Sequence, residues 1–148
     1  MSNPSTPYAL PPTLEAELEE VRAYWQSLIR GEASDMPYWD DVNLSALPAL
    51  ADRLMLVAAF TRPERFRFEI VGKEISAAYA HGLAGRFVDE VDVKPPLDFF
   101  RAQASTTVES RAPTYYKAKD YARLVLPLWG DGTVSMLLGA VSAAMNRA

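Results

Sequence analysis

Three carboxylates, Asp89, Glu90 and Asp92, crowd together just beyond Phe87. Carboxylates this close do acid–base work when burial raises the pKa of one and leaves its neighbour ionised. The same spacing serves a solvated face or the cap of a following helix, and that is the expectation here. The chain has one histidine, His81, and no cysteine. A lone His supplies no ligand set, so His81 is expected to be structural or solvent-facing. Without Cys there is no thiol nucleophile, disulfide or cysteinyl cofactor attachment. Gly-rich phosphate loops, nucleophile elbows and metal-spaced His sets are also missing from the sequence. The expectation is therefore a protein without catalytic turnover, resident cofactor or metal. The enzyme alternative is a small α+β cone of the isomerase or cyclase kind, with Asp89 or Asp92 as base.

The elements that position these residues start from the closing stretch, Ala122 to Met145, where two apolar runs flank Gly130-Asp131-Gly132. This pattern predicts a hairpin. In its first arm Leu124, Leu126 and Leu128 alternate with Arg123, Val125, Pro127 and Trp129, the period of a strand with one buried side. Pro127 lacks an N–H and asks for a bulge or an unpaired edge. The second arm, Val134 to Ala143, is apolar on both faces and suits a central strand. Upstream, Leu54 to Phe60 and a run alternating Phe66, Phe68 and Ile70 with Arg65, Arg67 and Glu69 predict a second hairpin. After Gly72 the period becomes helical over Ile75, Ala78 and Tyr79, ending at Gly82. Phe87, Val88 and Val91 follow Gly85 as another short piece. Leu97, Phe100, Ala104 and Val108 then mark one face of a longer helix that begins after Pro95-Pro96, and Thr114 to Lys119 reads as a half-exposed strand.

At the other end, residues 1–12 are rich in proline and form an arm that docks through Tyr8 and Leu10. A single domain is expected over 13–148, opening with a helix over 13–31 that Thr13 caps and Gly31 stops. Its stripe Leu14, Leu18, Val21, Trp25 and Leu28 has four-three spacing, which serves either the domain's own core or a two-helix seam; a homodimer through that seam is expected. Tyr38 and Trp39 pin a loop to the core or present a binding surface. Hydrophobic residues make up 49% of the 148 and charged residues 23%, so the chain folds as an ordinary domain. Its net charge of -4 gives phosphates no attraction, which argues against nucleic acid. No apolar run reaches bilayer length and no signal peptide is visible, so a cytoplasmic location without membrane attachment is expected.

Helix, two strands, short helices, a longer helix and three strands form the element order of the PAS fold with an extra N-terminal helix. The residues narrow it: Tyr24-Trp25-x-x-Leu28, Met36-Pro37, Phe66-x-Phe68-x-Ile70-Val71-Gly72-x-x-Ile75, Leu83-x-Gly85-Arg86 and Leu126-Pro127-Leu128-x-x-Asp131-Gly132. Over residues 20 to 142 the chain resembles the stand-alone PAS family common in alphaproteobacteria. The resemblance implies an α+β fold: a five-stranded antiparallel sheet of order 2-1-5-4-3 with short helices on one face. It also implies a small interior space, filled by side chains or holding a ligand. Flavin-adduct and thiol-linked chromophore chemistry of PAS sensors needs a Cys, and haem sensors use a His on the longer helix; neither residue is available here. What remains is a non-enzymatic sensory or regulatory module that binds a small hydrophobic ligand, passes its signal to a separate partner protein, or does both. Tyr79, Phe87, Phe100, Tyr116, Leu126 and Met136 are the expected pocket walls. The alternative is a protein-interaction module with a filled core, working through the first helix and Tyr38-Trp39.

Overall fold

Asp131 and Gly132 both take positive φ, 53° and 82°, the geometry that a two-residue hairpin loop demands of an Asp-Gly pair. They join β4, Ala122–Gly130, to β5, Thr133–Ser142. The computed structural model of the chain describes residues 8–29, 35–77, 79 and 82–142. Within them β1 runs Leu54–Phe60, β2 Arg65–Val71 and β3 Thr114–Lys117. The strands make one antiparallel sheet in the order β2-β1-β5-β4-β3. The chain is thus α+β, and its two-sided apolar β5 lies at the centre of the sheet. The helices are α1, Ala16–Ser27, α2, Lys73–Ser76, and α3, Phe100–Ser110. Single 3-10 turns occupy Trp39–Asp41, Leu44–Ala46, Ala51–Arg53 and Val88–Glu90. At the start of α2 the chain runs so close to the Ala51–Arg53 turn that a Cβ on Gly72 would overlap the Asp52 carbonyl. Among the described residues no helix is long and apolar enough to cross a membrane.

Residues opposed across a strand pair share a face. On the inner face, Tyr116 pairs with Arg123 and Arg123 with Val141; Thr114, Val125, Gly139 and Met55 form the next row, and Pro127, Leu137, Val57 and Phe68 the one after. α3 packs here, its Phe100 ring stacked 6.3 Å from that of Phe68. On the outer face, Leu126, Leu138, Leu56 and Ile70 form one row. α1 crosses this face, where the Trp25 Nε1–H donates to the Pro127 carbonyl at 2.9 Å.

Several expectations change with these contacts. β4 is buried on both sides, not one, because α1 covers one face and α3 the other. Ile70 does not follow Phe66 and Phe68: the β1–β2 register shifts beside Leu56, Glu69 is the extra residue of a bulge, and Ile70 is turned outward at 50% exposure. The stripe Leu14, Leu18, Val21 and Trp25 is buried in the chain's own core, with Leu28 half-buried, so it offers no free seam for a second helix. α1 begins at Ala16, and Glu15 rather than Thr13 stands at its N-cap position. The Glu15 carboxylate takes hydrogen bonds from Tyr115 and Lys117 of β3. Pro127 lies beyond the last β3 partner, Val125, and the β4–β5 register shifts at Leu128/Trp129, as a strand proline requires. Gly31, Ala78, His81 and Ala143 lie outside the described residues.

Candidate ligand-binding site

Arg123 sits on the inner face of β4 with no accessible surface at all. A guanidinium keeps its charge in a protein, and removing that charge from water is costly unless every donor is met. Burial holds the pKa of Arg123 below its ordinary value; the Tyr121, Asp98, Tyr116 and Tyr8 side chains act in the opposite direction. The chain meets most of its donors with carbonyls: Nε donates to Gln103 Oε1 at 2.7 Å, and Nη1 donates to Pro96 O at 2.8 Å and Asp98 O at 3.0 Å. The rings of Tyr116, Phe100 and Tyr121 stand 5.0, 5.4 and 6.0 Å from the guanidinium carbon, and a desolvated cation gains about 2 kcal/mol from such faces. Nη2 is buried and has no hydrogen-bond partner among the described residues.

The surroundings are polar and ordered. Gln103 is fixed from its other end, its Nε2 donating to Thr114 Oγ1 and to the Arg123 carbonyl, both at 3.2 Å. Thr107 Oγ1 lies 2.6 Å from Thr114 Oγ1. Gln103 and Thr107 are one helical turn apart, so α3 presents both to β3 and β4. The turn before α3 is held against Arg123 by its carbonyls at 96 and 98, and Phe99 there has φ of 63° while its ring is 62% exposed. A bulky residue in left-handed backbone is strained and persists only where its surroundings dictate it. Tyr121 donates to the Asp98 carboxylate. Burial, first, and that bond raise the Tyr121 pKa. Tyr116, Tyr121, Asp98 and Pro95 also wall a recess of about 280 Å³ that opens to solvent. Two of its walls are therefore rings that face the guanidinium.

The six expected pocket residues do not converge. Phe100 and Tyr116 lie beside Arg123 on the inner side. Leu126 and Met136 lie on the outer face, because strand alternation places them opposite Val125 and Leu137. Phe87 packs tilted against Phe60 at the β2 edge beneath the Arg65 guanidinium, 3.7 Å from its carbon. The Tyr79 hydroxyl accepts from the Lys94 N–H at 2.8 Å and so ties two loops, with its pKa raised by burial. The carboxylate cluster is divided as well. Asp89 takes a two-pronged bond from Arg65 at 2.8 and 2.9 Å, which holds its carboxyl below the usual range and favours the ionised form. Asp92 is exposed. Among the described residues no three His, Cys, Asp or Glu side chains gather as a metal set.

On the outer face, Trp39 lies across Gly130, where a Cβ would meet its Cδ1 at 2.7 Å. Trp39, Val42, Leu56, Ile70 and Met136, with Asp40 and Glu69, line an open, mainly apolar cleft of about 390 Å³. Tyr38 and Trp39 are 44% and 45% exposed, so the pair does not pin its loop by burial.

Arg123, Gln103, Thr107 and Thr114 are the residues that sequence reasoning missed. The signal for Arg123 was its company: a strand residue that shares its face with Val125 and Pro127 stands on an apolar surface, where a charge needs a reason. No family model, curated protein or solved structure matches the chain.

Proposed function

We propose that this chain is a PAS-like regulatory module without catalytic turnover, which takes a small ligand at the Arg123 end of the inner sheet face and signals to a separate protein. The sheet order and the long helix across the inner face support the PAS-like part. The observation that carries the ligand reading is the buried guanidinium of Arg123, one nitrogen of which has no partner among the described residues, packed against the Tyr116 and Tyr121 rings that also wall a recess open to solvent. The absence of turnover is supported by Asp89, whose pairing with Arg65 favours the carboxylate and takes it out of proton exchange near neutrality. A second reading, a module that binds a protein partner and no ligand, draws on the exposed Tyr38, Trp39 and Ile70 around the outer cleft.

Native mass spectrometry of freshly purified protein tests the choice and reports the oligomeric state together with it. The expected result is a small-molecule adduct that unfolding releases. A bare polypeptide mass, together with no stabilisation by any member of a small-metabolite panel, would overturn the ligand reading and leave the interaction module.

A further inference from the structure

We propose that the open cleft on the outer face of the sheet docks a partner protein, through a segment that carries a large apolar anchor beside Lys or Arg. This gives a place to the separate protein of the proposed function and rests on that part of it alone, not on a ligand at Arg123. Two unrelated features of the chain put apolar side chains into water here. The extra residue Glu69 of the β2 bulge turns Ile70 outward and leaves it exposed. Across the cleft, the backbone before Trp39 is tied to β4: the Trp129 amide donates to the Pro37 carbonyl at 2.8 Å, and Tyr38 is bridged to Trp129. Tyr38 and Trp39 nevertheless keep their rings exposed. A loop fixed by its backbone with its rings in water is ordered before a partner arrives, which lowers the entropy lost on association. Tyr and Trp are also the side chains in which binding energy concentrates at protein interfaces.

The occupant follows from charge and shape. The charged residues lining the cleft, Asp40 and Glu69, are both acids. Glu69 is engaged by Arg67, whereas Asp40 is exposed and has no ion pair among the described residues. A Lys or Arg next to the anchor would find that free carboxylate at the rim of an apolar wall. An anionic lipid surface or a nucleic acid would be repelled by the same two acids. A second copy of this chain is disfavoured as well, because a two-fold contact brings each cleft's acids toward those of its twin. An open cleft would leave a small molecule largely in water, while a protein segment covers it from above.

The test pans a phage-displayed library of random short peptides against the full chain and measures the enriched peptides by calorimetry with the wild type and three variants. The enriched peptides should share Leu, Ile, Phe or Trp close to Lys or Arg, and their affinity should fall with rising salt. Ile70→Ser and Trp39→Ala should each weaken them at least about tenfold. Asp40→Arg should weaken them too and should prefer the same peptides with Lys and Arg exchanged for Glu; this reversal decides the matter if an apolar variant does not fold. Enriched peptides without basic residues, or no reversal with Asp40→Arg, overturn the proposal. Peptides indifferent to Ile70→Ser and Trp39→Ala show docking elsewhere, so the cleft falls and the partner protein stands. A dimer in sedimentation that Ile70→Ser dissolves gives the cleft to a second copy and overturns the partner assignment. No enrichment also overturns the proposal, and the ligand reading, tested by native mass spectrometry, is untouched by it.

Discussion

On the outer face of the sheet, α1 lays Leu18, Val21 and Trp25 over β4 and β5, whose outward Leu124, Leu126 and Leu138 are buried with them. On the inner face, α3 brings Gln103 and Thr107 to Thr114 and Arg123, all four buried. Burial is thus the same on both sides, and chemistry is not. The outer interface needs only shape and the loss of water, each large apolar side chain contributing about 1.5–3 kcal/mol. The inner one has Phe68, Phe100 and Leu97 for that purpose, and still keeps a cation with a short list of carbonyl partners. A sheet stabilised so well from outside tolerates a costly polar centre within, and a network of this kind fixes one arrangement of the inner face.

The largest expected effect is on the apolar interfaces. Trp25→Ala should lower stability by about 3–5 kcal/mol, through lost volume and the orphaned Pro127 carbonyl, and Phe100→Ala should cost about the same, because its site beside Phe68 is filled. Urea unfolding measures both. A loss near 1 kcal/mol for Trp25→Ala would mean that α1 is an accessory to the sheet. Gln103→Leu probes the polar centre and should cost about 1–3 kcal/mol, chiefly by orphaning the buried Arg123 Nε–H, while Thr114 keeps its bond with Thr107. Were it neutral or stabilising, the inner face would be an ordinary core with decorative polarity.

The smallest effect concerns pH. Burial pushes the Glu15 carboxyl up, but its backbone hydrogen bond and the donors Tyr115 and Lys117 outweigh that and hold it below its usual 4.5. A depressed carboxyl contributes stability above its unfolded pKa and loses it as pH falls through the folded value. Wild-type stability should therefore fall below about pH 4.5, and Tyr115→Phe should flatten that acid limb. An unchanged limb would show that Glu15 does not tie α1 to β3.

The strands were legible wherever an apolar run or an alternating one lay between turn residues. The run from Arg65 to Ile70 and the first arm of the closing hairpin were read from alternation and turn residues, Leu54–Phe60 from its unbroken apolar run, and the central place of β5 from its two apolar faces. Ile70 was misread because one bulged residue reverses every later side chain. The stripe of α1 was visible, but periodicity does not name the surface that receives it. The site was hidden for a different reason. Gln103, Pro96 and Asp98 precede Arg123 by 20 to 27 residues, and only tertiary packing turns a charged residue of an alternating strand inward. Leu126 and Met136 were assigned to the wrong face because the sequence shows two sets per strand without saying which set α3 covers.

The borders of the sheet have a consequence for how copies of this protein meet. At β3 the Tyr115 amide donates to the Tyr8 carbonyl at 3.0 Å. At β2 the Phe68 amide donates to Arg86 O and the Phe68 carbonyl accepts from the Gly85 N–H, with Phe87 bridging Arg67. Unpaired strand borders are templates on which partly unfolded neighbours add strand by strand toward fibrils. Here each border carries a piece of the protein's own chain, so fibril growth by strand addition must first peel that piece away.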